Sequence, residues 1–263
     1  MNRRGLLLVH SMLVFAGLVV LWQAAVWAFR LPVYMLPGPW PVALALCDRL
    51  PSLLNSLWIT TEEAAGGLLA SVAVGVAVAM VFAQWLWLRQ LLYPYTILLQ
   101  TVPIVAIAPL IILWAGPGIL SVTVVTFIIC LAPIIANTTQ GLISVEENYV
   151  HLFVMHNATP AQILFKLRLP NALPNLFTGI RISAGISVIG AITGELFAGS
   201  PRVGQGGLGY AILYANSQLE TSYLFALVIA ATLLGFVFFF LVMFLEWLAL
   251  HNWHESSRSH LSE

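Results

Sequence analysis

Residues 157–174 read NATPAQILFKLRLPNALP, and this segment decides how the chain is organised. Thr159 and Gln162 have the spacing of a capping box, and Pro160 lies at the first helical position, where its missing N–H has no cost. Pro170 disfavours helical geometry in the residue before it. The segment therefore predicts a helix of about nine residues, or roughly 13 Å, which is too short to cross a bilayer.

The predicted helix, residues 160–168, is apolar over most of its surface and is interrupted by Gln162, Lys166 and Arg168. A helix this short is not stable alone in water, so its apolar surface must be buried. Two interpretations remain open at this point. The helix either lies on the lipid headgroups, with its basic side chains on anionic lipid, or it docks on another protein.

A second helix is predicted immediately before this one. The tetrapeptide SVEE at residues 144–147 also has capping-box spacing, which places the start of a helix near Val145. The helix can continue to His156 and end at Asn157, because Asn tolerates the left-handed conformation found at helix C-termini. Residues 144–174 are thus predicted to form a helical loop between two apolar runs.

The composition indicates a membrane protein. Of the 263 residues, 60% are hydrophobic and 8% are charged, whereas soluble domains carry about 25% charged residues. The mean hydropathy is +0.96, and the net charge of zero argues against a nucleic-acid surface. Six apolar runs reach the roughly 20 residues that cross a bilayer, at residues 6–29, 64–88, 91–115, 119–141, 176–197 and 223–245.

These runs predict a single all-α integral membrane domain over residues 1–263, with an anchor helix in residues 1–30 and core helices in residues 55–250. The first run is longer than the apolar region of a signal peptide, and no small-residue cleavage site follows it. If the N-terminus is cytoplasmic, seven of the ten Lys and Arg residues lie inside and three outside, as the positive-inside rule requires. Six spans then place both termini in the cytoplasm.

No motif indicates an enzyme. The chain has no G-x-x-x-x-G-K-[ST] sequence, no Ser/His/Asp group and no metal-ligand spacing. Residues 204–209 satisfy G-x-G-x-x-G but follow an apolar run instead of a strand, so we expect a flexible external loop whose glycines permit tight bends. Cys47 lies in an external connection and Cys130 in a span, so a disulfide between them is not expected.

The third apolar run contains candidates for a solute pathway. It holds Pro94, Pro103 and Pro109, and each proline removes a backbone donor and leaves a carbonyl that neighbours or water must satisfy. Gln100 and Thr101 are the polar side chains beside these bends. Gln100, Thr101 and Pro103 are therefore predicted to line a pathway, and a kink that serves packing alone remains the alternative.

Two ionisable residues of the fifth run are also candidates, because charges are costly in hydrocarbon. Arg181 and Glu195 are separated by about 21 Å of helix, so they cannot pair with each other. Arg181 is predicted to extend its guanidinium towards the nearby headgroups. Glu195 lies near the external end, where it either braces the glycine-rich loop or contacts a solute or proton.

The helical loop resembles a known family signature. Residues 151–170 match the spacing of E-A-A-x3-G-x9-I-x-L-P, the "EAA" loop of ABC-importer permeases, with His151-Leu152-Phe153 at the Glu-Ala-Ala positions and Asn157 at the Gly position. The chain is also similar to the nitrate, sulfonate, taurine and pyrimidine-precursor branch of these permeases at residues 36–39, 102–109, 114–116, 194–196 and 207–210.

The resemblance implies a type I importer transmembrane domain of the bacterial inner membrane, in which residues 144–174 carry a coupling helix. The implied coupling residues are His151, Asn157, Ala158, Thr159, Pro160, Leu164, Phe165, Leu167 and Pro170. The implied partners are a pair of cytoplasmic ABC ATPases, a second permease subunit, expected to be the same chain, and an external solute-binding protein. ATP and Mg would be used by the ATPases, and this chain would bind no cofactor.

The solute itself stays open. Almost no Lys or Arg lies centrally in the spans, which favours a small neutral or heteroaromatic solute of the vitamin-precursor type. Nitrate, a sulfonate or taurine is the alternative solute for the same kind of importer. An ion-coupled secondary transporter is the alternative class, and it would call for central carboxylates, a His relay or interrupted half-helices in two matching repeats.

Overall fold

The computed structural model describes residues 3–198 and 206–251, and these residues form helices with no strand among them. The predicted all-α class is confirmed. In chain order the helices are α1 (Arg3–Ala28), α2 (Pro39–Asp48), α3 (Leu50–Gln84), α4 (Leu86–Leu98), α5 (Ile104–Ala115), α6 (Ile119–Ile143), α7 (Glu147–Met155), α8 (Pro160–Ile163), α9 (Leu169–Ala198), α10 (Leu208–Ser217) and α11 (Thr221–Leu250).

Four helices of the described part are long and apolar enough to cross a membrane. They are α3, α6, the continuous helix Pro160–Ala198 and α11. Two shorter apolar helices, Met12–Ala28 within α1 and Ile104–Ala115, accompany them. The six predicted apolar runs fall largely in helices, but two of them are divided. The second run passes the end of α3 at Gln84 and continues into α4, and the third run is split between α4 and α5.

The prediction that the third run forms one continuous spanning helix is wrong, because residues 99–103 separate α4 from α5. Pro103 precedes α5 in an extended conformation, with φ −69° and ψ 109°, and it has no N–H to donate to the preceding turn. Pro94 and Pro109, in contrast, lie inside α4 and α5. The interruption therefore falls at one of the three prolines, near the middle of the run.

The core of the bundle forms where α6 packs against both α3 and α9. Glycines permit the close approach: a Cβ added to Gly67 would lie 2.5 Å from the Cβ of Thr126, and one added to Gly190 would lie 3.1 Å from the Cα of Thr126. A Cβ on Gly141 would lie 2.9 Å from the Cα of Ala172. Small residues at helix crossings allow such packing in membranes, where van der Waals contact drives helix association.

The helix of the loop does not end before Pro170 as predicted. Leu164–Arg168 forms a π-helical turn in which the N–H of Leu169 donates to the carbonyl oxygen of Leu164, and α9 continues through Pro170. A π-helical turn shifts the hydrogen-bond register, which makes room for the proline ring near the carbonyl four residues earlier. One helical rod of 39 residues, Pro160–Ala198, is the result.

The two ends of the bundle carry different short helices. We call the end with α7 and α8 the loop end, and the end with α2 and α10 the α10 end. The prediction of a flexible loop at residues 204–209 is wrong for Leu208 and Gly209, because α10 begins at Leu208. Residues 204–205 lie outside the described residues. Cys47 is exposed in α2 and Cys130 is buried in α6, and both are free thiols.

Candidate functional site

The loop end begins with α7. The capping box predicted at residues 144–147 is wrong, because Ser144 ends α6 and its hydroxyl donates to the carbonyl oxygen of Gly141 over 3.0 Å. Glu146 precedes α7 without a side-chain cap. The Ser144 hydroxyl is thus used by the preceding helix, and α7 starts later than predicted.

Asn157 and the second capping box have the predicted geometry. Asn157 adopts a left-handed backbone with φ 55°, and the N–H of Ala158 donates to the carbonyl oxygen of Phe153 over 3.0 Å. The N–H of Thr159 donates to Oε1 of Gln162 over 2.8 Å, and the N–H of Gln162 donates to Oγ1 of Thr159 over 3.3 Å. Local hydrogen bonds therefore fix the turn on both sides.

Substitutions of Asn157 distinguish the role of its backbone conformation from the role of its side chain. Asn157→Gly should leave the turn intact, whereas Asn157→Val should destabilise it by about 1–2 kcal/mol, because a β-branched residue resists positive φ. We expect trypsin to cleave the membrane-inserted valine variant after Lys166 about 5 to 30 times faster than wild type or the glycine variant. Equal cleavage of the three proteins would show that this conformation does not hold the loop.

Leu164 and Phe165, two adjacent predicted coupling residues, differ in burial. Leu164 is 6% exposed, and it packs with Ala79, Ala83, Leu142 and Ala172 of the bundle. Phe165 is 57% exposed. Leu164 therefore anchors the loop to the bundle, and Phe165 is the one of the two that is free to contact another molecule.

A further contact holds the loop to the bundle. The guanidinium of Arg168 donates to the carbonyl oxygen of Ala83 over 2.6 Å, at the end of α3. The amide of Asn171 donates to the carbonyl oxygen of Gly141 over 3.2 Å, at the end of α6. Because both acceptors lie on helices that can span a membrane, the loop is joined to the transmembrane core and not only to its chain neighbours.

Exposed apolar side chains cluster at the loop end. We call Leu152, Val154, Met155 and Phe165 the exposed loop face. A shallow cavity of about 330 Å³, lined by Leu152 and Lys166 among others, opens beside it. Of the remaining predicted coupling residues, His151, Asn157, Thr159 and Pro160 are exposed, and Ala158, Leu167 and Pro170 are half-buried.

A second candidate site lies beside the interruption between α4 and α5. A cavity of about 480 Å³ is bounded by residues of the interruption, α6 and α9. Of the pathway candidates in the third run, Gln100 and Thr101 are both exposed. Gln100 lines the cavity, whereas Thr101 does not, and its hydroxyl donates to the carbonyl oxygen of Leu98. Pro103 shapes the interruption without lining the cavity. Asn137 of α6 also lines it and was not predicted from the sequence.

Glu195 lies at the α10 end, away from that cavity, and is 3% exposed. Its carboxylate accepts hydrogen bonds from the hydroxyl of Thr60 over 2.6 Å and from the N–H of Gly209 over 2.5 Å. The N–H of Leu208 donates to the same Thr60 hydroxyl over 2.8 Å. Glu195 thus joins α3, α9 and the start of α10, which favours the bracing interpretation. Glu63 is buried beside it.

Arg181 does not simply extend towards the headgroups as expected. Its guanidinium forms an ion pair with Glu246 of α11, and both side chains are mostly buried. Sequence reasoning missed the pair because 65 residues separate the two partners. Their contact attaches α11 to α9 in the half of the bundle near the loop end.

Comparisons with known proteins show what the chain is similar to. Residues 71–247 match the family described as "Binding-protein-dependent transport system inner membrane component". The chain is 32% identical to the formylaminopyrimidine transport permease protein ThiX of Halalkalibacterium halodurans, with 89% of this chain and 92% of the relative covered. It is 34% identical to the riboflavin transport system permease protein RibX of Chloroflexus aurantiacus, with 91% and 88% covered.

A solved structure shares the fold. An inward-facing conformation of the MetNI methionine ABC transporter matches with a TM-score of 0.58 and 20% identity, covering 74% of this chain and 97% of that chain. At this identity the likeness concerns the fold alone. It supports the predicted type I importer transmembrane domain.

Proposed function

Since the chain belongs to the binding-protein-dependent transport system inner membrane component family of ABC-importer permeases, we propose that it forms the translocation pathway for a small solute and couples that pathway to a cytoplasmic ATPase through residues 144–174. It is a multi-pass membrane protein and a transport subunit. The loop end faces the cytoplasm together with both termini, and the whole of residues 1–263 serves as one transmembrane domain.

The exposed loop face carries this proposal. It places the apolar side chains of α7 outside the four helices that can span a membrane, and Phe165 near the start of one of them. Leu164 and Arg168 hold this loop to the bundle. Met155 is 80% exposed and Phe165 57% exposed, and a protein surface gains free energy by covering such side chains. The other interpretation is a helix that lies on lipid headgroups, and photo-cross-linking from Met155 to the ATPase or to lipid distinguishes the two.

The helical rod supplies a mechanical link from this face to the far side of the membrane. Pro160–Ala198 is one helix of 39 residues, with Phe165 near one end and Glu195 near the other. A displacement of the docked end is therefore carried to the contacts of Glu195 with Thr60 and Gly209. ATPase closure would then alter the α10 end, where an external binding protein delivers the solute.

The partners follow from the same proposal. Two ATPase subunits bind ATP and Mg²⁺ and perform hydrolysis, and a second copy of this chain supplies the second coupling loop. This chain binds neither ATP nor metal. The solute is a small heteroaromatic or vitamin-precursor molecule, as in the names of the relatives ThiX and RibX, and nitrate, sulfonate or taurine is the alternative for the same machine.

An ion-coupled secondary transporter is the alternative class. The interrupted helix at residues 99–103 is a feature of such transporters that the sequence analysis did not find. Within the described residues, however, the spanning helices α3, α6, Pro160–Ala198 and α11 contain no corresponding second interruption. The carboxylate of Glu195 is also held by two donors at the α10 end, which suits a structural brace better than an ion carrier.

Reconstitution tests the proposed function. Proteoliposomes that contain the tagged chain and its co-expressed ATPase should hydrolyse ATP faster when the solute-loaded binding protein is added, and should accumulate solute only with ATP. A proton or sodium gradient without ATP should drive no uptake. Gradient-driven uptake in the absence of ATP would contradict the proposal and favour the secondary transporter.

A further inference from the structure

The interruption between α4 and α5 has a physical consequence for the cavity beside it. Backbone groups outside a helix or sheet cannot face hydrocarbon, so non-helical backbone within a membrane is tolerated only when it is buried in protein or lines a water-filled cavity. Residues 99–103 are non-helical, and Thr101 and Val102 are exposed. Leu99, Gln100 and Val102 also border the cavity of about 480 Å³. The interruption therefore indicates a wet cavity.

Two side-chain amides line this cavity, one from the interruption and one from α6. Gln100 lies in the interruption, and its amide makes no hydrogen bond with other described residues. The amide nitrogen of Asn137 donates to the carbonyl oxygen of Pro133 over 2.8 Å, which orients the group and leaves its oxygen available. Together the two amides offer donors and acceptors to a bound molecule.

The rest of the wall is apolar and uncharged. Isoleucines dominate it, among them Ile107, Ile128, Ile182 and Ile189, and no Lys, Arg, Asp or Glu of the described residues lines it. A free anion such as nitrate would exchange part of its hydration for an apolar wall that offers no cationic partner, which is costly. A neutral molecule with a polar edge would place that edge on the amides and its body on the isoleucines.

We propose that Gln100 and Asn137 form the solute-contacting site of the pathway, and that this site selects a neutral solute with hydrogen-bonding groups along an otherwise apolar or aromatic body. The inference rests on the proposed function and names its substrate class. The volume of about 480 Å³ lies within the ~300–1,000 Å³ common for small-molecule sites. A second copy of the chain would bring a second pair of amides to the same pathway.

The reactivity of cysteines placed at positions 100 and 137 tests whether these positions line a water-filled cavity, and the test does not require the solute to be known. In a Cys47→Ser background, Gln100→Cys and Asn137→Cys should react with methanethiosulfonate ethylammonium in the complete importer. Thr138→Cys is the matched control, because Thr138 follows Asn137 on α6 and is fully buried, so it should react at least about tenfold more slowly. If neither cavity cysteine reacts faster than the control, the cavity is dry and the proposal is overturned.

Transport tests the substrate class. Proteoliposomes with the complete importer are offered four labelled probes: formylaminopyrimidine, riboflavin, taurine and nitrate. We expect uptake of formylaminopyrimidine or riboflavin, which carry no ionised group, and none of taurine, which is a zwitterion, or of nitrate. Gln100→Leu and Asn137→Leu should each lower that uptake about tenfold or more, since each removes a hydrogen bond to the solute. Ile128→Leu and Ile189→Leu, which conserve the volume of the wall, should lower it less than about twofold.

The outcomes separate this inference from the function on which it rests. If ATP-driven uptake persists but nitrate or taurine is the solute, or if the leucine variants transport normally, the site assignment fails while the importer function stands. If wild type shows no ATP-dependent activity with its ATPase and binding protein, the proposed function itself fails.

Discussion

Phe165→Asp should abolish retention of the ATPase by the permease while the permease remains folded in the membrane. The side chain is 57% exposed, so aspartate is tolerated in the isolated subunit, where water solvates its charge. Docking would bury that charge without a partner, at a cost of about 3–5 kcal/mol, which corresponds to a loss of affinity of at least about a hundredfold. Co-purification of the ATPase with tagged permease in detergent measures the effect.

Two controls make this result specific to docking. Phe165→Leu keeps an apolar side chain and should retain most of the ATPase. Leu164→Asp alters the neighbouring residue, but Leu164 packs inside the bundle, so this variant should lower the melting temperature of the permease itself. Equal ATPase recovery with Phe165→Asp and wild type would remove Phe165 from the interface.

Gly209→Ala should destabilise the α10 end more than a methyl group ordinarily does. An added Cβ would overlap the carbonyl oxygen of Ile192 and lie 2.9 Å from the Cβ of Glu195, and the backbone of α9 cannot easily yield. Overpacking of this kind costs about 1–3 kcal/mol, so we expect the melting temperature to fall by about 2–12 °C. Solute uptake should fall as well, because the start of α10 would lose its hydrogen bond to the Glu195 carboxylate.

Gly185→Ala is the matched control for this substitution. Gly185 also neighbours the core in α9, but nothing lies within 4 Å of a Cβ added there. Alanine in a helix interior is favoured over glycine by about 0.5–1 kcal/mol, so this variant should be as stable as wild type or slightly more stable. Similar melting temperatures for the two alanine variants would mean that α10 is not closely packed on α9.

The turn of the loop could be predicted from the sequence because its determinants are local. Asn157 adopts positive φ, and Thr159 and Gln162 form their reciprocal bonds across three residues. Ser144 has the same motif and a different outcome, because α6 extends far enough to use its hydroxyl. A capping motif between two helices does not tell which of the two helices will use the capping side chain.

The position of the helix interruption could not be predicted for a related reason. The third run contains three prolines with similar local effects, yet the helix is broken only before Pro103. Which proline breaks the helix depends on whether neighbouring helices or a cavity can satisfy the freed backbone groups. That information lies in α6 and α9, not in the run itself. Pro170 likewise continues a helix because the π-helical turn before it makes room.

The brace at the α10 end depends on contacts that are distant in sequence. Glu195 was identified from its cost in hydrocarbon, but its partner Thr60 is 135 residues away and is one of many hydroxyls in the chain. Asn137 was overlooked for a similar reason, because its position near the end of an apolar run resembles an interfacial residue. Only the packing of α6 beside residues 99–103 places its amide on the wall of the cavity that Gln100 also lines.

Photo-cross-linking from the exposed loop face tests the central claim most directly. In a Cys47→Ser background, Met155→Cys is labelled with benzophenone maleimide and irradiated in membranes that contain the complete importer. Leu219→Cys is the matched control, since Leu219 is 79% and Met155 80% exposed, but Leu219 lies at the α10 end. A covalent adduct with the ATPase from Met155→Cys and none from Leu219→Cys is the expected result. Adducts with lipid alone, or equal ATPase adducts from both positions, would contradict the assignment of the loop as the coupling element.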